Sequence, residues 1–132
     1  MKKVILILGS ESDKEFAAKI EAKLTENHVE FETHVASAHK SPKKVLEILE
    51  KYESEKIVYI TVAGRSNALS GFCAGNSTHP VIACPPFRDK MDMMVNVQST
   101  LQMPSNVPVM TVLDPENAAI AAARILQLGD KK

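Results

Sequence analysis

The sequence has no excess of either charge, since sixteen lysine and arginine side chains balance sixteen aspartate and glutamate side chains at pH 7. This balance excludes the strongly positive surface that binding to nucleic acid or to an anionic membrane requires. The chain also lacks any apolar run approaching the roughly 20 residues that cross a bilayer. We therefore expect a small molecule or another protein as the partner, and neither nucleic acid nor a membrane.

Cysteine is scarce, and the two that occur, Cys73 and Cys84, have no second pair and no histidine cluster near them. They suggest neither a disulfide framework nor a zinc site. No two histidines have the i, i+4 spacing of helical metal ligands, so we expect no metal. We interpret Cys84 as a core residue rather than a nucleophile, because no base lies near it in sequence. Reduced cysteines, and an apolar run at 1–8 too short for a signal peptide, predict a cytoplasmic protein.

What the chain has instead is a regular alternation of strand and helix patterns. Its 132 residues predict a single domain spanning 1–132. Uninterrupted apolar runs such as Val4 to Leu8 are typical of parallel strands covered on both faces. We predict strands at 4–8, 30–36, 56–62, 81–83 and 109–113. This alternation predicts an α/β fold, a doubly wound five-stranded parallel sheet of flavodoxin-like order in a three-layer sandwich.

Helix signals lie between these strands. Ser12 to Glu15 has the pattern of a capping box with Ser12 at the N-cap, and Pro42 after Ser41 is typical of a first helical residue. Further helices are predicted at 91–101 and 117–128, and Asp114-Pro115-Glu116 is predicted to cap the second of these. The last is rich in alanine, which favours close packing on its own sheet. Subunit contacts, shared with exposed methionines of the preceding helix, are the alternative.

Right-handed crossovers bring every strand-to-helix loop to one edge of such a sheet. The first loop, 9–13, offers hydroxyls and free amides at a helix N-terminus, which is a ready anion site. Ser12 serving only as a helix cap is the alternative, while Asp13 suits the hydroxyls of a ribose. The loop is neither a Walker loop nor a Gly-x-Gly-x-x-Gly loop. A phosphoacceptor response regulator needs an acidic pair directly after the first strand and an aspartate after the third, and those places hold Gly9-Ser10 and Gly64-Arg65.

The second loop, 37–41, places His39 beside Lys40. Histidine is the natural proton carrier near neutral pH, so His39 is the first choice for a general acid or base. A histidine that only bonds the loop backbone is the alternative. His28 and His34 fall in a turn and in the second strand, and we interpret them as structural.

A glycine-rich stretch at 63–86 follows the third strand and contains three of the five glycines. Glycine lets the backbone approach a ligand. Arg65, Ser66 and Asn67 place hydrogen-bond donors where open α/β sheets bind their ligands. An ordinary strand-to-helix turn is the alternative interpretation.

Three motifs together resemble one family. Gly-Ser-x-Ser-Asp at 9–13, Ser-Ala-His-Lys at 37–40 and Ala-Gly-Arg-Ser-Asn at 63–67 are similar to the motifs of the aminoimidazole ribonucleotide carboxylases of purine biosynthesis, the PurE family. The resemblance covers nearly the whole chain. It implies an octamer of flavodoxin-like subunits that moves a carboxyl group onto C4 of an aminoimidazole nucleotide without a cofactor.

The resemblance also implies roles for individual residues. The substrate-binding residues would be Gly9, Ser10, Ser12, Asp13, Ser37, Ala38, Lys40, Gly64, Arg65, Ser66 and Asn67. Ser10, Ser12 and Lys40 would hold phosphate, Asp13 the ribose, and Ser37 to His39 the imidazole. Ser66, Asn67 and Gly71 would bind CO2. His39 and Lys40 would be catalytic, with Lys40 serving phosphate or CO2.

The loop after the third strand separates the two branches of the family. The branch that isomerises N5-carboxyaminoimidazole ribonucleotide typically has a second histidine in Ala-Gly-x-Ala-Ala-His-Leu-Pro-Gly, and 65–71 has none. The chain therefore resembles the class II branch, which takes CO2 directly, although that branch tends to carry glycine in place of Ala68 and Ser70. The mutase activity is one alternative. A non-catalytic module that binds a nucleotide or flavin is another.

Overall fold

The computed structural model describes residues 2–130 and contains one five-stranded parallel sheet in the order β2-β1-β3-β4-β5. The strands are β1 Lys2–Leu8, β2 Phe31–Val35, β3 Lys56–Val62, β4 Val81–Ala83 and β5 Met110–Thr111. The helices are α1 Lys14–Glu26, α2 Pro42–Lys51, α3 Leu69–Gly75, α4 Lys90–Leu101 and α5 Pro115–Gln127. The predicted doubly wound, flavodoxin-like sheet is confirmed.

Strand β1 is an interior strand of the sheet and separates two layers of core. It pairs with β2 on one side and with β3 on the other, so its backbone is bonded along both edges. Alternate side chains then point to opposite faces. Leu6 packs in the layer formed with α1 and α5, whereas Ile7 packs in the layer formed with α2 and α3. Both residues have no exposed surface, as the apolar run at the start of the chain predicts.

The helix starts differ from prediction in one place. A 3-10 turn at Glu11–Asp13 precedes α1, and the Ser10 hydroxyl caps it by accepting a hydrogen bond from the Ser12 amide at 3.2 Å. The expected N-cap role of Ser12 is therefore wrong. Pro42 is the first residue of α2, and Asp114 caps α5 through the Asn117 amide at 3.0 Å, both as predicted.

Two further elements, β5 and α3, differ from the prediction. Strand β5 has only two residues, because the chain around it pairs with β4 over a short register. Helix α3 lies inside the glycine-rich stretch, where we had predicted no helix. Neither change alters the edge to which the loops converge. None of the described helices is long and apolar enough to cross a membrane.

Candidate active site

A cavity of about 290 Å³ opens where the loops after β1, β2 and β3 converge at the carboxyl edge of the sheet. Its walls come from three stretches that lie far apart in sequence. The lining residues are Gly9, Ser10, Ser12, Asp13, Ser37, Ala38, His39, Ala63, Gly64, Arg65, Ser66, Ala68 and Leu69. The structure therefore brings together nine of the eleven predicted substrate-binding residues, together with His39.

The first wall is a tight turn after β1. Gly9 lies so close to β3 that a Cβ atom built on it would stand 3.3 Å from the Cβ of Ala63, so a larger residue would push the two loops apart. Beyond it, the hydroxyls of Ser10 and Ser12 lie 2.9 Å from each other at the start of the helix. Two hydroxyls and the helix N-terminus thus face the cavity, an arrangement that suits an anion.

Asp13 contributes a carboxyl group next to these hydroxyls. It is half-buried, and burial raises its pKa above the usual value, while a hydrogen bond from the Ser10 backbone opposes that rise. A partly desolvated carboxyl group accepts strong hydrogen bonds from neutral donors. The hydroxyls of a sugar are donors of that kind.

The second wall is the turn after β2, which hydrogen bonds of Ser37 and Ser41 stabilise. The Ser37 amide donates to the Ser41 hydroxyl at 3.0 Å, and the Ser37 hydroxyl accepts from the Lys40 amide at 3.1 Å. Ser41 uses its side chain in this turn and makes no side-chain cap bond to α2. This turn leaves His39 exposed at the mouth of the cavity, while Lys40 lies next to it outside the described lining.

The third wall, from Ala63 to Ser66, holds the imidazole of His39. The Nε2 atom of His39 lies 3.3 Å from the carbonyl oxygen of Ser66. A carbonyl oxygen only accepts, so this bond requires the proton on Nε2 and leaves the lone pair on Nδ1. The peptide bond between Arg65 and Ser66 is cis. The hydrogen bond from Nε2 favours one imidazole tautomer with a free basic nitrogen.

Asn67 does not line the cavity as predicted. Its side chain is 5% exposed, and its Oδ1 atom accepts from the amides of Leu69 and Ser70 at 3.1 and 3.2 Å, which caps the start of α3. Its Nδ2 atom donates to the Thr100 hydroxyl at 3.0 Å. Because both its oxygen and its nitrogen make these bonds, the side-chain amide of Asn67 stabilises the loop and the start of α3.

Gly71 also lies away from the described cavity walls, within α3. A Cβ atom built there would stand 2.9 Å from the sulfur of Met103, so the absent side chain makes room for the chain segment after α4. This contact gives a packing reason for the glycine. Its expected place beside CO2 does not follow from the position.

His34 and the two cysteines lie away from the cavity. Burial lowers the pKa of His34, whose Nε2 atom lies 3.0 Å from the Tyr52 hydroxyl. Burial raises the pKa of the Cys73 and Cys84 thiols to about 12, and both are free and buried. The interpretation of Cys84 as a core residue is confirmed. Across residues 2–130 no three histidine, cysteine, aspartate or glutamate side chains converge as a metal site would require.

Sequence reasoning missed the residues that hold the third wall in place. Ser99 and Thr100 of α4 bond Asn67, and Asn96 donates to the Pro86 carbonyl at 2.7 Å. A signal was present, because α4 has polar residues at the helical spacing where a core-facing stripe is expected. Helix α4 thus holds the loop that continues the third wall and, separately, the loop at Pro86.

Comparison with known proteins agrees with this geometry. A profile of the AIR carboxylase family matches residues 3–132. A phosphoribosylaminoimidazole carboxylase of Archaeoglobus fulgidus is 49% identical over 98% of this chain and 71% of its own length. The crystal structure of Treponema denticola PurE superposes with a TM-score of 0.91 at 42% identity, covering 98% of this chain and 83% of that one.

A fusion protein is also similar over this region. The bifunctional phosphoribosylaminoimidazole carboxylase/phosphoribosylaminoimidazole succinocarboxamide synthetase of Drosophila melanogaster is 41% identical over 96% of this chain, which spans 30% of that protein. The three loop motifs, the sheet order and these similarities lead to one assignment. The chain belongs to the AIR carboxylase family of enzymes.

Proposed function

We propose that this chain joins CO2 to C4 of 5-aminoimidazole ribonucleotide and forms 4-carboxy-5-aminoimidazole ribonucleotide in purine biosynthesis. The aminoimidazole is an enamine, so C4 attacks the carbon of CO2 and a carbon–carbon bond forms. The resulting C4 is tetrahedral and still carries its hydrogen. A base takes that proton, and the electron pair of the C–H bond restores the aromatic ring. The reaction needs no redox step and no activated phosphate.

The observation that carries this proposal is the contact between His39 and the Ser66 carbonyl across the cavity. It leaves Nδ1 as the basic nitrogen at the mouth of a cavity whose other walls offer hydroxyls and amides. We assign proton removal from C4 to this nitrogen. In the reverse direction the protonated imidazole returns the proton to C4 and releases CO2.

The first loop suits the nucleotide end of the substrate. Ser10 and Ser12 present hydroxyls at a helix N-terminus for the phosphate, and Asp13 lies beside them for the ribose. Lys40 is exposed next to this region, and its long side chain adds positive charge for the phosphate. Ser37, Ala38 and His39 then face the imidazole.

The third wall suits CO2 and the new carboxylate. Gly64, Arg65 and Ser66 line the cavity beside His39, so backbone amides and a guanidinium are available where negative charge develops. Asn67, whose side chain caps α3, is assigned to holding this wall, and we no longer place Gly71 at the CO2 site. We infer direct use of CO2 because no second histidine is present in the loop.

Two substrates separate this activity from the mutase. The purified protein is supplied with aminoimidazole ribonucleotide and bicarbonate, and in a second reaction with N5-carboxyaminoimidazole ribonucleotide. Conversion of the first alone supports the carboxylase, and conversion of the second alone identifies a mutase. Tight nucleotide binding without turnover of either, or a bound flavin, identifies a non-catalytic module.

His39→Asn tests the assigned base. Loss of a general base typically costs roughly 10²- to 10⁴-fold in rate, and we expect kcat to fall within that range. Nucleotide binding, measured by calorimetry, should remain, because the phosphate and ribose contacts lie in the first loop. Turnover at the parent rate would remove His39 from the mechanism.

We also propose a homo-oligomer, an octamer by resemblance, working in the cytoplasm. Support comes from the outer face of α4, where Met91 is 72% exposed and Met94 is 61% exposed. Val95 and Leu101 of the same helix are exposed as well, and so is Met110 of β5. Light scattering coupled to gel filtration measures the mass of the assembly directly.

A further inference from the structure

Behind the third wall of the cavity lies a hydrogen-bonded network from α4. The Ser99 hydroxyl accepts from the Asn67 backbone amide at 3.0 Å, and the Thr100 hydroxyl accepts from its Nδ2 atom at the same distance. Thr100 is 1% exposed and in turn donates to the Asn96 carbonyl at 3.3 Å. Asn67 is therefore held through both its backbone and its side chain.

The network ends one residue from the group that contacts His39. Ser66 directly precedes Asn67, and its carbonyl oxygen accepts from the Ala68 amide at 3.1 Å as well as facing Nε2 of His39 at 3.3 Å. Fixing Asn67 therefore fixes the direction of the Ser66 carbonyl. A carbonyl held in that direction keeps the proton on Nε2 and the ring in one orientation.

We propose that Ser99 and Thr100 are positioning residues that set the tautomer and orientation of His39 through Asn67 and the Ser66 carbonyl. The inference rests on the proposed role of His39 as the base, but its geometric part is independent of turnover. Neither residue lines the cavity. Their effect on the reaction passes through the third wall.

The polar character of the buried side of α4 supports this positioning role. A helix that served only to cover the sheet would bury apolar side chains, but α4 buries Asn96 and Thr100. Burying polar groups costs free energy unless they are hydrogen-bonded, and here the bonds go to Asn67, to the Pro86 carbonyl and to α4 itself. The buried face of α4 is thus suited to fixing loops rather than to building core.

Thr100→Val tests the inference, because valine keeps the shape and removes the acceptor for Asn67. Thr100→Ser restores the hydroxyl and should restore the parent behaviour. Thr61→Val is the matched control, since Thr61 is also 1% exposed and its hydroxyl has no hydrogen-bond partner among residues 2–130. Ser99→Ala removes the second contact and replaces Thr100→Val if that variant does not fold.

The decisive measurement is the ¹⁵N chemical shifts of the His39 ring at about pH 8.5, well above the ordinary histidine pKa. The His39 signal is assigned by its loss in His39→Asn. We expect Thr100→Val to lower the fraction of the Nε2–H tautomer. We also expect kcat to fall on the order of tenfold with KM nearly unchanged, since small displacements of a catalytic group cost about this much or more.

Unchanged ring shifts in Thr100→Val, or the same change in Thr61→Val, would overturn the inference. Equal losses in Thr100→Val and Thr100→Ser would do so too, because a merely structural role predicts no rescue by the hydroxyl. Failure of the proposed function has a different signature. The parent protein would then turn over no aminoimidazole ribonucleotide, while the tautomer shift in Thr100→Val would still support the positioning role.

Discussion

Helices α4 and α5 have nearly the same length, twelve and thirteen residues, but they turn opposite kinds of face toward the protein. Helix α5 buries a stripe of small apolar residues against α1, β1 and β3. That stripe consists of Ala118, Ala119, Ala122, Ala123 and Leu126. Helix α4 buries Asn96 and Thr100 and leaves Met91 and Met94 outside.

The two helices therefore contribute differently to the protein. The alanines of α5 let two helices and the sheet approach closely, so α5 contributes to the free energy of folding through packing. The polar residues of α4 hold the loops around Asn67 and Pro86, so α4 contributes to the shape of the cavity. Its exposed side carries the apolar residues Met91 and Met94. Substitutions on the two helices should therefore fail in different ways.

The largest effect is expected from Ala122→Asp on α5. Ala122 has no exposed surface, so the variant buries a carboxylate beside the central strands without a partner, which costs at least about 3 kcal/mol of the free energy of unfolding. Denaturant titration measures the loss. Asn117→Asp places the same group on the exposed side of the same helix and should change little. An unchanged unfolding midpoint for Ala122→Asp would contradict the packing role of α5.

A smaller and different effect is expected from Met94→Glu on α4. The side chain is 61% exposed, so the subunit itself should fold as before. A charge in the centre of an apolar contact should weaken assembly by about 2 kcal/mol or more per contact, which light scattering detects as a lower mass at fixed concentration. Gln127→Glu adds the same charge to the exposed side of α5. Equal masses for both variants and the parent would show that α4 does not form the subunit contact.

The same two helices show how far sequence reasoning extends. The apolar periodicity of α5 and the Asp114-Pro115 start predict its position within two residues, because local capping and burial act in the same direction. The strands follow likewise from β-branched and apolar runs. Helix α4 was predicted in place, but not the use of its buried side, because polar residues at a core-facing spacing do not indicate which loops they bond.

The cavity was predicted where local chemistry and topology agree. Ser10, Asp13 and His39 lie in the segments that follow strand ends, and a parallel sheet brings such segments together. Asn67 was misjudged because a polar residue beside a ligand loop has the same sequence pattern whether it caps a helix or faces a ligand. Only the distances to the Leu69 amide and the Thr100 hydroxyl distinguish the two.

The smallest effect is expected at an ion pair remote from both helices. It tests whether residues far from the cavity change stability without changing ligand binding. Lys3 donates to Glu32 at 2.8 Å and the Tyr52 hydroxyl donates to the same carboxylate, so these bonds lower the pKa of Glu32 to about 2. A carboxyl group with a lowered folded-state pKa stabilises the fold above its unfolded pKa and loses that contribution as pH falls. Between about pH 4.5 and pH 2 the parent should therefore lose stability relative to Glu32→Gln.

The size of this loss is limited by water, because the Glu32 side chain is 39% exposed and the pair is screened. We expect less than about 1 kcal/mol, measured as the difference in unfolding free energy between the parent and Glu32→Gln along a pH series. Lys3→Gln removes the main cause of the lowered pKa and should flatten the same dependence. A difference that stays constant from neutral pH to pH 2 would contradict the assignment. The pair lies between β1, β2 and the end of α2, away from the cavity. Nucleotide binding at neutral pH should therefore be the same in Glu32→Gln, Lys3→Gln and the parent. Variants of the loop that α4 holds in place should differ from the parent in this respect.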